Sequence, residues 1–390
     1  MSYDLTVYSS APLGQEGLAE LLRSAGLDVK RPTAQGMDPG QLVIVRGKKS
    51  QYCFTLDGPF PLEDEDIPEE ITAVILAPKF LYQVAVEGSD RTSIPSAVRF
   101  SKKLAEATTG AAYDIQTGDI WPRKSLRTPS KPAKNTQVRA VQIEWYYLVN
   151  EAPIDIPEIY CRLARKYLPE ALPRRFGTYE PFAGNFERDG AEGVARMLRE
   201  EPNGMLQFYG TYPVGLGFIL GIDYNTRGDV SSVGLTMDCS VLQTNPGWLE
   251  NLHRFFVHFA RETHSFFSSA EVIRGFVYNG KTVSSRWESE SPGRLQDLGK
   301  WSGLANYPQW WTWYSDIYSE LALPHLTSRI EKYENGIFHA WDEKPLDRDA
   351  IQLLLGDPQK PWIPAEFSPT YNEHGHIMAV ASNVPQRLAS

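Results

Sequence analysis

The sequence predicts an α+β fold of two mostly antiparallel sheet-plus-helix units, the second wrapped by an aromatic-rich C-terminal segment. Three observations predict it. A chain of 390 residues is too long for one ordinary core and suits two domains. Apolar residues make up 42% and aromatics 12%, so burial can offset chain entropy and the chain should be globular. A basic stretch, "PRKSLRTPSKPAKNTQ" (122–137), carries five cations, no acid and Leu126 as its one bulky apolar residue. It reads as an exposed linker between domains at 1–121 and 138–390.

In the first domain, alternating or apolar runs predict strands at 3–9, 41–47, 50–56, 81–88 and 111–116. Between them, residues 14–26 keep Leu18, Leu21, Leu22 and Ala25 at helical spacing, and residues 94–110 form a second helical pattern. Gly26 and Gly110 stand where helix C-caps want positive φ. The order suits helices on one face of an antiparallel sheet. Past the linker the pattern begins again, with a strand at 141–150, helices at 156–172 and 192–201, and strands between 205 and 240. A long helix over 247–276, "GWLENLHRFFVHFARETHSFFSSAEVIRGF", closes the unit. The echo suggests a duplicated architecture, although no residue-level repeat is visible. From about residue 280 the chain is irregular, with a further helix expected at "HLTSRIEKYE" (325–334) and a proline-punctuated tail.

Composition narrows the function. The net charge of −9 disfavours nucleic acid and favours basic partners. The opening "MSYDLTV" lacks the basic start of a signal peptide, and no apolar run approaches the roughly 18 residues of a membrane helix. Cys53, Cys161 and Cys239 are odd in number and lie in apolar stretches, as buried thiols of a reducing compartment do, so the expected location is cytoplasmic.

Candidate chemistry is sparse. His253, His258 and His264 share the predicted 247–276 helix, but spacings of five and six turn successive side chains about 140° and 240° apart, which argues against a metal site. A packed amphipathic helix is expected instead, with His258 and Glu262 as an i, i+4 pair. His374 and His376 share one face of a strand, but no third ligand is adjacent. Gly215, Gly217 and Gly221 miss the dinucleotide fingerprint by one residue and precede no helix. No cofactor or metal is expected. Glu288 and Glu290 in "RWESESPG" have the E-x-E spacing used by ADP-ribosyltransferases, against the plainer reading of a solvated loop. "LEDEDIPEE" gathers Glu63, Asp64, Glu65, Asp66, Glu69 and Glu70, a solvated loop or an electrostatic docking surface for a basic protein.

The densest feature is "YPQWWTWYSDIYSEL" (307–321). On a helical wheel entered at Pro308, Trp310, Trp311, Trp313, Tyr314, Ile317, Tyr318 and Leu321 fill one broad arc, opposite Thr312, Ser315, Asp316, Ser319 and Glu320. An amphipathic helix is therefore expected here, burying the middle of that arc. Trp311 and Trp313 fall at its edges, where half-buried side chains serve as interface anchors.

Three stretches carry a family resemblance: the opening "MSYDLTVYS" with the following "LAELLRSAG", "RFGTYEP" (175–181), and "WSGLANYPQWWTWYSDIYSEL" (301–321). In these the chain resembles the large α+β immunity proteins of bacterial polymorphic toxins, cytoplasmic antidotes encoded beside toxins of type VI and related secretion systems. The resemblance extends loosely over most of the chain. It implies a non-enzymatic inhibitor that binds a cognate toxin domain and occludes its active site. The clustered carboxylates would steer a basic toxin, and Trp311 and Trp313 would anchor it. The alternative is an enzyme acting on a nucleotide or ADP-ribosylated substrate through Glu288 and Glu290.

Overall fold

The computed structural model describes residues 2–30, 41–63, 66–88, 91–122, 127, 129–221, 228–286, 289–293, 295–305, 307–356, 362–363, 370–371, 377–378 and 384–388. The chain divides into two compact units, Met1–Thr128 and Pro129–Ser390.

The first unit contains β1 (Tyr3–Ser9), α1 (Gln15–Ser24), β2 (Leu27–Val29), β3 (Leu42–Arg46), β4 (Gln51–Pro61), α2 (Glu69–Thr72), β5 (Phe80–Val86), α3 (Ile94–Ala107), β6 (Ala111–Asp114) and β7 (Ile120–Trp121). Its strands form one antiparallel sheet in the order β2-β3-β4-β5-β1-β6-β7. Alternation along β1 sets the layers, since successive side chains point to opposite faces. Leu5 and Val7 join the cluster built with Phe54, Val84, Phe100 and Leu104, which carries α3. Tyr8 faces the other way and packs on Ile67, Ile71 and Ile75. Gly26 ends α1 at φ +70 as expected, but after α3 the left-handed residue is Thr109. Gly110 is needed for a different reason: a Cβ there would lie 2.1 Å from the Tyr8 carbonyl oxygen.

The second unit begins with β8 (Thr136–Leu148), α4 (Ile156–Tyr167), β9 (Arg175–Gly177), β10 (Gly184–Asn185), α5 (Phe186–Glu200), β11 (Met205–Tyr209), β12 (Val214–Leu220) and β13 (Val230–Asp238). It continues through α6 (Ser240–Thr244), α7 (Pro246–Glu262), β14 (Phe267–Tyr278) and β15 (Val283–Ser284). The hairpin β16 (Gln296–Asp297) and β17 (Lys300–Trp301) leads to β18 (Trp311–Ser315), α8 (Asp316–Ala322), β19 (Arg329–Tyr333), β20 (Gly336–Ala340) and α9 (Arg348–Leu354). A last pair, β21 (Thr370–Tyr371) and β22 (Ile377–Met378), closes the list. The main sheet is antiparallel in the order β10-β9-β11-β12-β13-β8-β14-β18-β20-β19, with β15 on β14. On one face Trp145 sits among Phe255, Phe256 and Phe259 of α7, and Tyr160 of α4 meets Phe255 and Phe259 edge-on. On the other, Tyr146, Phe267, Tyr314 and Tyr318 pack against Trp301, Leu304, Ile363 and Leu388, the expected aromatic wrap.

The two units share a frame. The order β2-β3-β4-β5-β1-β6 in the first matches β9-β11-β12-β13-β8-β14 in the second, and in both the first strand lies between the last two. A helix follows each first strand (α1, α4) and another precedes each last strand (α3, α7). The repeat suggested by the sequence is thus present as topology.

Three expected helices change. The helix over 247–276 stops at Glu262, where His264 takes φ +54 and the Thr263 hydroxyl bonds back to the Phe259 carbonyl at 2.7 Å; Phe267–Tyr278 is strand β14. The 325–334 helix is instead strand β19. The aromatic helix over 307–321 is a strand, Trp311–Ser315, followed by a short helix, Asp316–Ala322. Ser315 marks the change, its Oγ accepting from the Ile317 amide at 3.2 Å as an N-cap.

Candidate functional site

Trp311 and Trp313 do not sit at the edge of a half-buried stripe, which corrects the helical-wheel expectation. On a strand they share one face, and both are buried, 1% and 0% exposed. Trp311 stacks on Trp310 at 4.1 Å between ring centroids and meets the His253 and Phe338 rings edge-on. The Trp313 indole N–H donates to the Ser265 carbonyl at 3.0 Å. Neither offers a partner any surface, so both are core residues of the sheet.

Of the carboxylate pair, Glu288 lies outside the described residues, while Glu290 belongs to an ion network. Its carboxylate accepts from Arg274 Nη2 at 3.1 Å and lies 3.5 Å from Arg348 Nε. Arg274 also reaches Asp349 at 2.7 Å, and Arg348 Nη2 donates to Glu271 at 2.6 Å. Glu271 projects from β14 and is buried; it also accepts from the Tyr307 hydroxyl at 3.3 Å, and the Arg348 guanidinium lies 4.2 Å from the Tyr307 ring centroid. Burial pushes the Glu271 carboxyl up and Arg348 draws it back; burial likewise pushes the Tyr307 hydroxyl well up. Arg348 is held in place because Asp347 pairs with Val272 on β14 and caps α9, its Oδ1 accepting from the Ala350 amide at 3.1 Å. The network clasps the 289–293 segment, Tyr307 and α9 onto β14. The sequence signal for it was thin: Glu271 and Arg348 are 77 residues apart.

The acidic segment presents a surface. Glu63, Asp66, Glu69 and Glu70 are exposed, while Asp64 and Glu65 lie outside the described residues. Ile67, Ile71 and Ile75, spaced by four, pin the segment to the sheet and turn the carboxylates outward. Phe60, near the end of β4, is 45% exposed. Arg127, expected in an exposed linker, is buried here instead, its Nη1 donating to the Thr72 carbonyl at 2.8 Å and the Ile75 carbonyl at 3.3 Å. It satisfies carbonyls that a helix end leaves without partners.

The remaining candidates resolve into structure. Glu262 pairs with Arg162, and His258 stacks on Tyr167 at 5.0 Å. His253 is buried with its Nε2 3.2 Å from Glu331. Gly217 faces Phe208, directly opposite on β11, where a Cβ would lie 2.2 Å from the ring. His374 and His376 lie outside the described residues. The three cysteines are buried, and burial pushes the Cys161 and Cys239 thiols up to about 12. Among the described residues no group of three or more His, Cys, Asp and Glu could hold a metal ion, and no helix is long and apolar enough to cross a membrane.

No protein-family model matches the chain. No curated protein matches it either. Among solved structures it is similar to a T6SS protein of Pseudomonas aeruginosa, at 14% identity and a TM-score of 0.39, over 56% of this chain and 75% of that one.

Proposed function

We propose that the chain is a cytoplasmic immunity protein that binds a cognate secreted toxin and occludes its active site. The observation that carries the reading is that Glu63, Asp66, Glu69 and Glu70 are all exposed on a segment pinned to the sheet by Ile67, Ile71 and Ile75, with Phe60 exposed three residues before Glu63. Such an arrangement speeds encounter with a basic surface and fixes its register. The family resemblance and the buried thiols support the same reading, and the partner is a basic toxin domain.

The experiment is co-expression with the product of the adjacent gene, followed by association kinetics. Reversing the four charges (Glu63→Lys, Asp66→Lys, Glu69→Lys, Glu70→Lys) should slow association at least about tenfold at low salt and flatten its salt dependence. Failure to form a complex or to protect cells would refute the proposal. An association rate indifferent to the reversal would refute the docking surface.

A further inference from the structure

The shared frame of the two units exposes a difference between them. In the second unit β18 pairs with β14, and its Trp311 covers the adjoining face of α7, packing on Phe256 and His253. At the matching place in the first unit, β7 pairs with β6 but is only two residues long, Ile120–Trp121. There a cleft of about 110 Å³ remains between α3, β1, β6 and β7. Leu5, Val98 and Ala112 give it apolar walls, and Trp121, partly buried, gives it an aromatic one. Ser101 of α3 also lines it, 0% exposed, and its Oγ has no hydrogen-bond partner. A buried hydroxyl left this way is costly, and a ligand group can satisfy it.

Three charged groups also line it: Asp114, Asp119 and Lys102. The two carboxylates are held in position. Asp114 Oδ1 accepts from the Gln116 amide at 3.0 Å and the Thr117 amide at 3.3 Å, and its Oδ2 accepts from the Tyr3 hydroxyl. Asp119 accepts from the Thr117 hydroxyl at 3.2 Å, and its carbonyl from the Asp114 amide at 2.9 Å. Each carboxylate keeps lone pairs for a further donor. Two carboxylates against one ammonium leave the cleft negative.

Size, walls and charge together select the occupant. Small-molecule sites run to about 300–1,000 Å³, whereas this cleft, at about 110 Å³, is on the scale of a single side chain. Apolar walls suit an aliphatic stem, the charge suits a cation, and the indole face suits a planar one. Arginine combines all three and brings five N–H donors, enough for both carboxylates and the Ser101 hydroxyl. We infer that this cleft receives an arginine side chain of the protein partner, its stem along Leu5 and Val98 and its guanidinium between Trp121, Asp114 and Asp119. The inference rests on the partner-binding reading and adds to it the chemistry of one anchor.

The test titrates the full chain with N-acetyl-arginine amide and follows the Trp121 indole and Ser101 amide resonances by NMR. Saturable shifts confined to the cleft are expected, with affinity on the order of millimolar. Asp119→Asn should weaken binding about three- to fivefold. Lys102→Gln should tighten it, and because that residue is exposed, tightening cannot arise from misfolding. Ser101→Leu, which fills the cleft, should abolish binding while the rest of the amide spectrum is kept. No shift at Trp121, or equal shifts with N-acetyl-glutamine amide, would overturn the proposal. This titration needs no toxin, so it fails only with the cleft, whereas absence of a toxin complex fails the partner reading. Should the probe bind yet Asp119→Asn leave toxin affinity unchanged, the cleft is not the partner's anchor and the inference falls.

Discussion

Replacing Arg348 by methionine isolates what the buried network on β14 does. The side chains of Glu271 and Arg348 are 5% and 13% exposed, and Arg348 Nη2 also donates to the Ser291 carbonyl at 2.9 Å. Removing one member of such a pair strands the other charge, which typically costs about 3–5 kcal/mol, a large part of a domain's stability. Methionine keeps the apolar stem over Tyr307, so the loss should come mainly from the stranded carboxylate. Adding Glu271→Gln removes that charge while leaving an amide to meet Tyr307 and the Gly293 N–H, and should restore at least half of the loss. The sign with pH is set by the direction of the Glu271 shift. Burial raises its folded-state pKa above the unfolded value of about 4.3, so the folded state binds the proton more tightly and stability falls as pH rises through that window. Without Arg348 the folded-state pKa rises further, so the deficit should be largest near neutrality and shrink toward about pH 4. Urea unfolding followed by tryptophan fluorescence suits the measurement, because of the ten tryptophans only Trp121 lies in the first unit. A loss below about 1 kcal/mol, a loss that Glu271→Gln leaves in place, or a deficit independent of pH would each refute the argument.

Two further outcomes are expected from the second unit. Glu331 accepts from Tyr333 at 2.6 Å and from Arg329 at 2.7 Å and lies 3.2 Å from His253 Nε2, and His253 foremost holds its carboxyl down to about 2. A depressed carboxyl stabilises the fold above its unfolded pKa of about 4.3, and this contribution drains away as pH falls toward about 2; Glu331→Gln should remove that acid slope in thermal melts from pH 5 downward. Gly217→Ala should lower stability by about 1–3 kcal/mol by driving a methyl into the Phe208 ring, and adding Phe208→Leu should recover part of it; additive losses would argue against direct contact.

How much of this could be read from the sequence depended on how each strand is buried. In the first unit β1, β3 and β5 fall within a residue or two of the expected runs, because turns and alternation mark them clearly. The second unit hid β14 and β18, which are covered by α7 on one face and the aromatic wrap on the other. Every position of Trp311–Ser315 is buried, so the two-residue period that would distinguish a strand from a helix is erased. The wheel then joined strand and following helix into one false stripe, although Ser315-Asp316 is a legible N-cap signal. Glu290 was visible as an acid in a loop, but its partners Arg274, Arg348 and Asp349 are brought together only by the fold. The acids of this segment stand out in the sequence, whereas the role of Ile67, Ile71 and Ile75 emerges only from their burial, which explains why Glu69 and Glu70 between them face outward. The cleft beside Trp121 had no local signature, since its lining is assembled only when β1 brings Leu5 against α3, β6 and β7.

The facing of Gly217 by Phe208 is one of a series. Phe176 covers Gly184 and Phe218 covers Gly234, each pair directly opposed across neighbouring strands, and Trp313 covers Gly336 on the diagonal. In every case a Cβ on the glycine would lie within 2.6 Å of ring atoms. Neither partner can drift alone: a larger residue at the glycine collides with the ring, and a smaller residue at the aromatic leaves a hole over bare backbone. Distant kin of this chain should therefore gain or lose the two residues together, and such coupled exchanges would trace its ancestry where overall identity no longer does.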